Sequence, residues 1–458
     1  MTAVTVSSTK VEPFILPTGT TPRPPTNVSE QQEATVAEQK MTTSDLLHHE
    51  SLHSVEGMPS HPVMMVRGQG EFLWDLDGKR YIDFNAGFSA CNQGHCHPKI
   101  VEAMTQQCQL LTMPSRSVHV PQYAMLCKKL CEITGFDKVA AMNGGAEAVD
   151  MAIKFARSWA YKVKGVEQDK ALVLTAESNY HGRMLSVLSA STEEGYRKNC
   201  GPWMPNVGPY CSGDVVRFGV IEDLERAFRK SGEHIAAFLV EPVQGHAGCL
   251  APPDEHLVRV RELCTQHNIL FIADEIQAGL GRTGHFLSYQ SAGIKPDMVI
   301  LGKSLSGGMY PMSAVLGTSE VMDSIEPGQY GSTFSGNPLA SAVALAALDV
   351  ILSESLPTRA AALGEKFEAR LRAIKSPYFD KITGKGLFRS IYIHETHPQG
   401  LVTGKRLAAL CLKRGLLLNA AGRRLRICPA LIIDENVMLE GVGILEKALH
   451  DLPTMEEV

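Results

Sequence analysis

The 458-residue chain has no apolar run approaching the roughly 20 residues that span a bilayer, so a membrane partner is not expected. It also has no surplus of positive charge. Lys and Arg number 44 against 49 Asp and Glu, a net charge of −5, which leaves no basic field for nucleic acid and no polybasic patch for lipid headgroups. Its 11 cysteines are odd in number and follow no repeated spacing, so a disulfide framework is excluded and reduced thiols in the cytoplasm are expected. Cys91, His95, Cys96 and His97 crowd together but lack a second pair at ligand spacing, so no metal is expected. Residues 1–45 lack both a helical apolar stripe and an apolar signal core. Lys10 and Arg23 are the only basic residues before Lys40, so neither a transit peptide nor a secretory signal is supported. That Thr-, Ser- and Pro-rich stretch reads as a disordered extension. No internal repeat is present.

The stretch from Ile269 to Gly308 holds the strongest signal. Ile269-Leu270-Phe271-Ile272-Ala273 is short and apolar throughout, as a strand buried on both faces should be, and it ends on Asp274 and Glu275. A second such run, Met298-Val299-Ile300-Leu301, ends on Gly302-Lys303 and opens into Ser304-Leu305-Ser306-Gly307-Gly308. Ligands of open α/β sheets bind at the C-terminal edge of the strands, so a carboxylate and an amine would meet over one crevice. Pyridoxal phosphate needs such a pair, with lysine holding its aldehyde as a Schiff base and an acid facing its ring nitrogen. Taken singly, Asp274 could be a turn cap and Lys303 a solvated loop residue. It is their joint placement that favours chemistry.

Ala273-Asp274-Glu275-Ile276-Gln277, Gly281-Arg282-Thr283-Gly284 and Leu301-Gly302-Lys303-Ser304-Leu305-Ser306-Gly307-Gly308 together resemble the signature of the class III pyridoxal-phosphate aminotransferases. Within that family the resemblance is to the ornithine aminotransferase group, from about Pro62 almost to the C-terminus. It implies pyridoxal 5'-phosphate as cofactor and the α/β fold of fold type I: a large domain with a mostly parallel sheet flanked by helices, plus a smaller α+β domain.

The hydrophobic pattern agrees. Phe72 to Phe84 reads as a hairpin turning at Asp77-Gly78. Helices are expected at Lys99 to Leu111 and Gln122 to Ile133, followed by a strand at Val139 to Met142. The stripe Val149, Ile153, Ala156, Ala160, Val163 marks a helix from near Ala146. Strands at Leu172 to Thr175 and Ile235 to Val240, a helix at Glu255 to Gln266 and the two runs above then alternate, which implies a largely parallel sheet. A helix at Leu339 to Ile351 would leave the large domain. Helices at Arg359 to Ile374, Val402 to Lys413 and Glu435 to Leu449, with strands near Leu387 to Ile393 and Leu425 to Ile427, read as the smaller one. The expected division is an extension (1–45), the N-terminal part of the small domain (46–95), the cofactor domain (96–340) and the C-terminal small domain (341–458).

Asn143-Gly144-Gly145-Ala146-Glu147 joins a strand to a helix start, where free amides and the helix dipole can hold a phosphate; glycines there are often only a turn. The resemblance makes Gly145 and Ala146 the phosphate cup, completed by Thr333 of a second subunit, and so implies a homodimer with shared active sites. It places Tyr180 against the pyridine ring and gives Gln277 the cofactor's phenolic oxygen. It assigns Arg183 and Arg426 to substrate carboxylates, contacts that suit a guanidinium. Asp274 would keep the ring nitrogen protonated, and Lys303 would move a proton at the substrate carbon. The family pattern is broken at three positions. His246 aligns with a glutamate that masks the second arginine in ornithine aminotransferases, while Phe88 and Met58 stand where tyrosines line the ornithine pocket. Each change removes a charge or hydroxyl, so the expectation is an amino donor less polar than ornithine, or one bound by its α-carboxylate at Arg426, with an oxo acid as acceptor. Racemisation on the same cofactor and a non-catalytic scaffold role remain open as alternatives.

Overall fold

The computed structural model describes residues 41–55, 57, 61–394 and 402–453, and contacts divide the chain into two compact units, Met1–Met64 and Met65–Val458. In the first, a helix spans Thr43–His53 and buries no residue. It starts where it does because Thr42 accepts the Asp45 amide and the Asp45 carboxylate accepts the Thr42 amide, a capping box. Met58 and residues 1–40 lie outside the described residues.

The second unit is built on a seven-stranded sheet. Numbered within the sheet in chain order, its strands are β1 Lys138–Met142, β2 Leu172–Thr175, β3 Val207–Gly208, β4 Ile235–Val240, β5 Leu270–Asp274, β6 Met298–Leu301 and β7 Ser313–Gly317. They lie in the order β1-β7-β6-β5-β4-β2-β3. All neighbouring pairs are parallel except those of β7, which runs antiparallel to β6 and β1. Strands β4, β5, β6 and β7 are buried along their whole length, which is why they read as continuous apolar runs.

Alternate residues feed opposite layers. Ile272 and Ile300 pack with Val149, Ala152, Ile153 and Ala156 of the helix Gly145–Trp159. On the other face, Phe271 and Phe238 join Leu257 and Val260 of the helix Asp254–Gln266, and Val299 and Leu301 join Ala344 and Leu348 of the helix Pro338–Ser353. That last helix lies along one face of the sheet. It packs against the helices Pro98–Leu110 and Pro121–Thr134 and against the short turn Lys303–Ser306. One difference from the pattern concerns Val163, placed in a buried stripe by its spacing and found 50% exposed. After Trp159 the chain widens into a π-turn over Ala160–Lys164, and the change of period rotates Val163 outward.

The hairpin forms as read. Phe72–Asp75 pairs antiparallel with Arg80–Asp83, and Asp75 holds the turn by accepting the amides of Asp77 and Lys79 while Gly78 takes a positive φ of 81°. Leu416–Leu417 adds to Arg80–Asp83 in parallel, so residues from both ends of the unit share one sheet. Another four-stranded sheet runs Phe379–Lys385, Phe388–Ile393, Arg424–Ile427, Asn419–Ala421. Among the described residues no single helix is long and apolar enough to cross a membrane.

Candidate active site

Five strand ends converge on one edge of the sheet. Asp274 closes β5, and Lys303 stands just beyond β6, whose Ile300 is the register partner of Asp274. Lys303 has a left-handed φ of 46°, a costly conformation for a side chain with a Cβ. Its turn is anchored from two sides. Asn92 donates to Ser304 Oγ at 3.1 Å, and the buried Arg282 donates to Asn92 Oδ1 and to the carbonyls of Leu387 and Pro429. Burial holds the Lys303 amine below the usual lysine range and the Arg426 charge adds to this, against the opposing pull of Asp274 and Glu241.

Asp274 is buried, accepts the Ile276 amide on Oδ1 and meets His181 Nδ1 at 2.7 Å on Oδ2. Burial by itself would lower the His181 pKa; the hydrogen bond and charge of Asp274, with Glu241, outweigh it and raise it. Nε2 of the same ring is buried with no hydrogen-bond partner among the described residues. Glu241, just past β4, accepts the Tyr180 amide at 2.9 Å. Its carboxyl is pushed up to about 7, chiefly by burial, with Asp274 adding to the shift while His181 and Lys303 oppose it. Sequence reasoning singled out neither His181 nor Glu241, although Glu241 directly follows the strand Ile235–Val240 and His181 lies in the loop after Leu172–Thr175, where polar residues are a usable signal.

Gly145 and Ala146 open the helix after β1. Glu147 accepts the amides of Asn143 and Gly144, and the next amides have no intrahelical acceptor and border the cavity. Gly182, with φ 129°, backs this corner closely: a Cβ there would lie 2.7 Å from that of Ala146. The cavity has a volume of about 330 Å3 and is lined by Gly145, Ala146, Tyr180, Arg183, Asp274, Gln277 and Lys303, all predicted site residues. A larger surface cleft of about 690 Å3, lined by Thr192, Glu194, Arg197 and Tyr210, has no comparable set of groups, so chemistry and not size selects the site.

Phe88, His246 and Arg426 surround this cavity without lining it. Gln277 donates to the Phe88 carbonyl at 3.2 Å, and the Arg426 guanidinium lies 5.5 Å from the Phe88 ring centre. Phe88 sits in a left-handed turn with Ala86, Gly87 and Ser89 also at positive φ, a strained geometry of the kind found at ligand sites. His246 stacks on Tyr180 with ring centres 4.8 Å apart and meets the Tyr196 hydroxyl through Nε2 at 3.3 Å. Burial, then the charges of Arg426, Arg424 and Arg183, depress its pKa to about 4, so it is neutral near pH 7. Among the described residues no carboxylate comes within 4.0 Å of the Arg183 or Arg426 guanidinium. Thr333 is exposed and lines a separate cavity with Met113, Arg116 and Tyr330; its own chain does not bring it to the Lys303 site. The His95 ring, part of the Cys/His cluster, bonds Asp83 at 2.7 Å, and among the described residues no group of three or more His, Cys, Asp or Glu is placed to hold a metal.

An amine, a buried acid and a helix N-terminus around one cavity suit an aldehyde, a ring nitrogen and a phosphate respectively, so the residues present fit pyridoxal 5'-phosphate. Fold and site thus define a pyridoxal-phosphate enzyme of fold type I. Residues 54–449 match the family Aminotransferase class-III. The ornithine aminotransferase of Schizosaccharomyces pombe is 45% identical over 398 residues, covering 86% of this chain and 91% of that protein. The solved ornithine aminotransferase of Toxoplasma gondii superposes with a TM-score of 0.86 at 35% identity, over 93% of this chain and 99% of that one. The acetylornithine aminotransferase of Elizabethkingia anophelis gives 0.80 at 39% identity, over 90% and 100%. The chain belongs to the class III aminotransferases and is a pyridoxal-phosphate-dependent transaminase. The racemase and scaffold alternatives gain no support from these relatives.

Proposed function

We propose that this transaminase takes its amino group from a donor less polar than ornithine, or from one held by its α-carboxylate at Arg426, and passes it to an oxo acid such as 2-oxoglutarate. The observation that carries the site assignment is the delivery of Lys303 and Asp274 from neighbouring strand ends into one cavity. Bound there, pyridoxal 5'-phosphate supplies the electron sink that lets an amine and a carbonyl exchange. Lys303 would hold the cofactor's aldehyde carbon and would move the proton at the substrate carbon, a task helped by its lowered pKa. Asp274, oriented by His181, would keep the cofactor's ring nitrogen protonated. Gly145 and Ala146 would hold its phosphate, Tyr180 its ring and Gln277 its phenolic oxygen.

The donor assignment is supported by the neutral His246 and by Arg183 and Arg426, which have no acidic partner among the described residues. A donor carrying a distal ammonium would meet positive charge there. Phe88 offers a ring without a hydroxyl. Thr333 completes the phosphate site of a second copy in a homodimer, a reading supported by its exposure and by the nearby exposed Leu110, Leu111, Val118, Met125 and Phe334. Pairing of Leu416–Leu417 with Arg80–Asp83 supports a small domain made from both ends of the second unit. A cytoplasmic location is supported by 11 unpaired cysteines.

The test is a donor panel of ornithine, lysine, 4-aminobutyrate and glutamate, scored by conversion of the bound aldehyde to its aminated form. Turnover of ornithine with the efficiency of ornithine aminotransferases would refute the donor assignment.

A further inference from the structure

We infer that Tyr196 is a specificity-determining positioning residue: its ring holds the Arg183 guanidinium in place to receive a distal acidic group of the substrate. The inference rests on the reading that Arg183 binds a substrate carboxylate.

Arg183 is exposed, and among the described residues no carboxylate fixes it. A long guanidinium side chain without a partner samples many rotamers, and each one away from the substrate weakens binding. The Tyr196 ring supplies the missing constraint, lying 4.2 Å from the Arg183 guanidinium carbon in a cation–π contact. Tyr196 is itself held. It belongs to the four-residue turn Glu194–Arg197, which Arg197 anchors by donating to the Ser191 carbonyl at 2.6 Å and by covering the Trp203 ring at 4.8 Å. Its hydroxyl reaches His246 Nε2 at 3.3 Å, and its ring meets Tyr180 edge-on at 6.2 Å. A neutral imidazole can accept that hydroxyl proton on Nε2 but offers no negative charge to the arginines. Arg183 therefore keeps its full charge for an acid, and Tyr196 fixes where that charge is offered.

The test uses the holoenzyme as wild type, Tyr196→Phe, Tyr196→Ala, Arg183→Ala and the double variant Y196A/R183A. Single-turnover conversion of the bound cofactor is measured with L-glutamate, which has a distal carboxylate, and L-norvaline, which does not. Expected for Tyr196→Ala is a rise of about tenfold in the apparent Kd for glutamate, with the limiting rate and the norvaline constant changing less than about twofold. Tyr196→Phe keeps the ring and brings the glutamate constant back to within about threefold of wild type, and Tyr196→Ala adds less than about twofold when Arg183 is already alanine. Equal effects on both donors, a fall in limiting rate with unchanged Kd, failure of the phenylalanine rescue, or full additivity with Arg183→Ala would each overturn the inference. If wild type converts neither donor, the proposed donor class fails. The same ranking of variants is then sought in the binding of glutarate, read from the absorbance of the lysine-bound cofactor, and its absence overturns the role of Tyr196.

Discussion

Lys303 and Glu241 illustrate what burial does to single groups at this sheet edge. The Lys303 amine is held below its ordinary pKa by desolvation, which suits a group that must both bind a carbonyl carbon and accept a proton. Lys303→Ala is expected to lower the rate of donor conversion by at least about 10²–10⁴, the usual worth of a positioned acid–base group. It should also abolish attachment of the cofactor to protein by borohydride, read from intact mass. A rate within tenfold of wild type would exclude the assigned role. Glu241 shows the opposite sign, with burial raising its carboxyl from 4.5 to about 7. Between those values the folded chain holds a proton that the unfolded chain has lost. Its contribution to stability is therefore complete below pH 4.5 and is lost as pH rises through 7. Glu241→Gln keeps an oxygen for the Tyr180 amide but has no charge to bury. Its Tm, measured on cofactor-free protein, should gain on wild type between about pH 5 and pH 8. An offset that does not change with pH refutes this.

Helix starts decide how the elements present the site. The helix Gly145–Trp159 begins on glycine, with Glu147 engaging the two preceding amides, so the next ones are left to an anion. The helix Pro338–Ser353, by contrast, begins on a conventional cap: Asn337 accepts the Ala340 amide at 2.8 Å and donates to the Phe334 carbonyl, with proline at the first helical position. It packs beside the Lys303 turn, so its stability bears on the site. Asn337→Ala removes one buried acceptor and one buried donor and should cost about 1–2 kcal/mol, seen as a lower urea midpoint. A midpoint unchanged within error would show that water replaces both bonds.

For the whole molecule the decisive feature is Thr333, exposed on its own chain and lining a different cavity from that of Lys303. If a second copy takes it up, mixed dimers of Lys303→Ala and Thr333→Ala chains contain one site with both residues intact. Co-refolding the two feeble variants in equal amounts makes roughly half of the dimers mixed, so activity should rise toward about a quarter of that of wild type, with the protein running as a dimer in sedimentation. No gain on mixing would place Thr333 outside the active site.

The amino-acid sequence determined the central strands and the cofactor, because β4, β5 and β6 are buried on both faces and must be apolar throughout, and because the residues ending β5 and β6 stand in a long local motif. Strand β7 escaped notice: its apolar run is only Ala314-Val315-Leu316 between Ser313 and Gly317, and antiparallel pairing to β6 and β1, not a periodic pattern, specifies it. The same limit hid His181 and Tyr196. His181 acquires its role from Asp274, 93 residues away, and Tyr196 acquires its own from Arg183 and His246. Only the tertiary structure decided these roles, because hydrogen bonds, ring contacts and shared burial depend on distance in space. The apolar runs and the glycine turn that opens the helix Gly145–Trp159 were legible because their physics acts between neighbours along the chain.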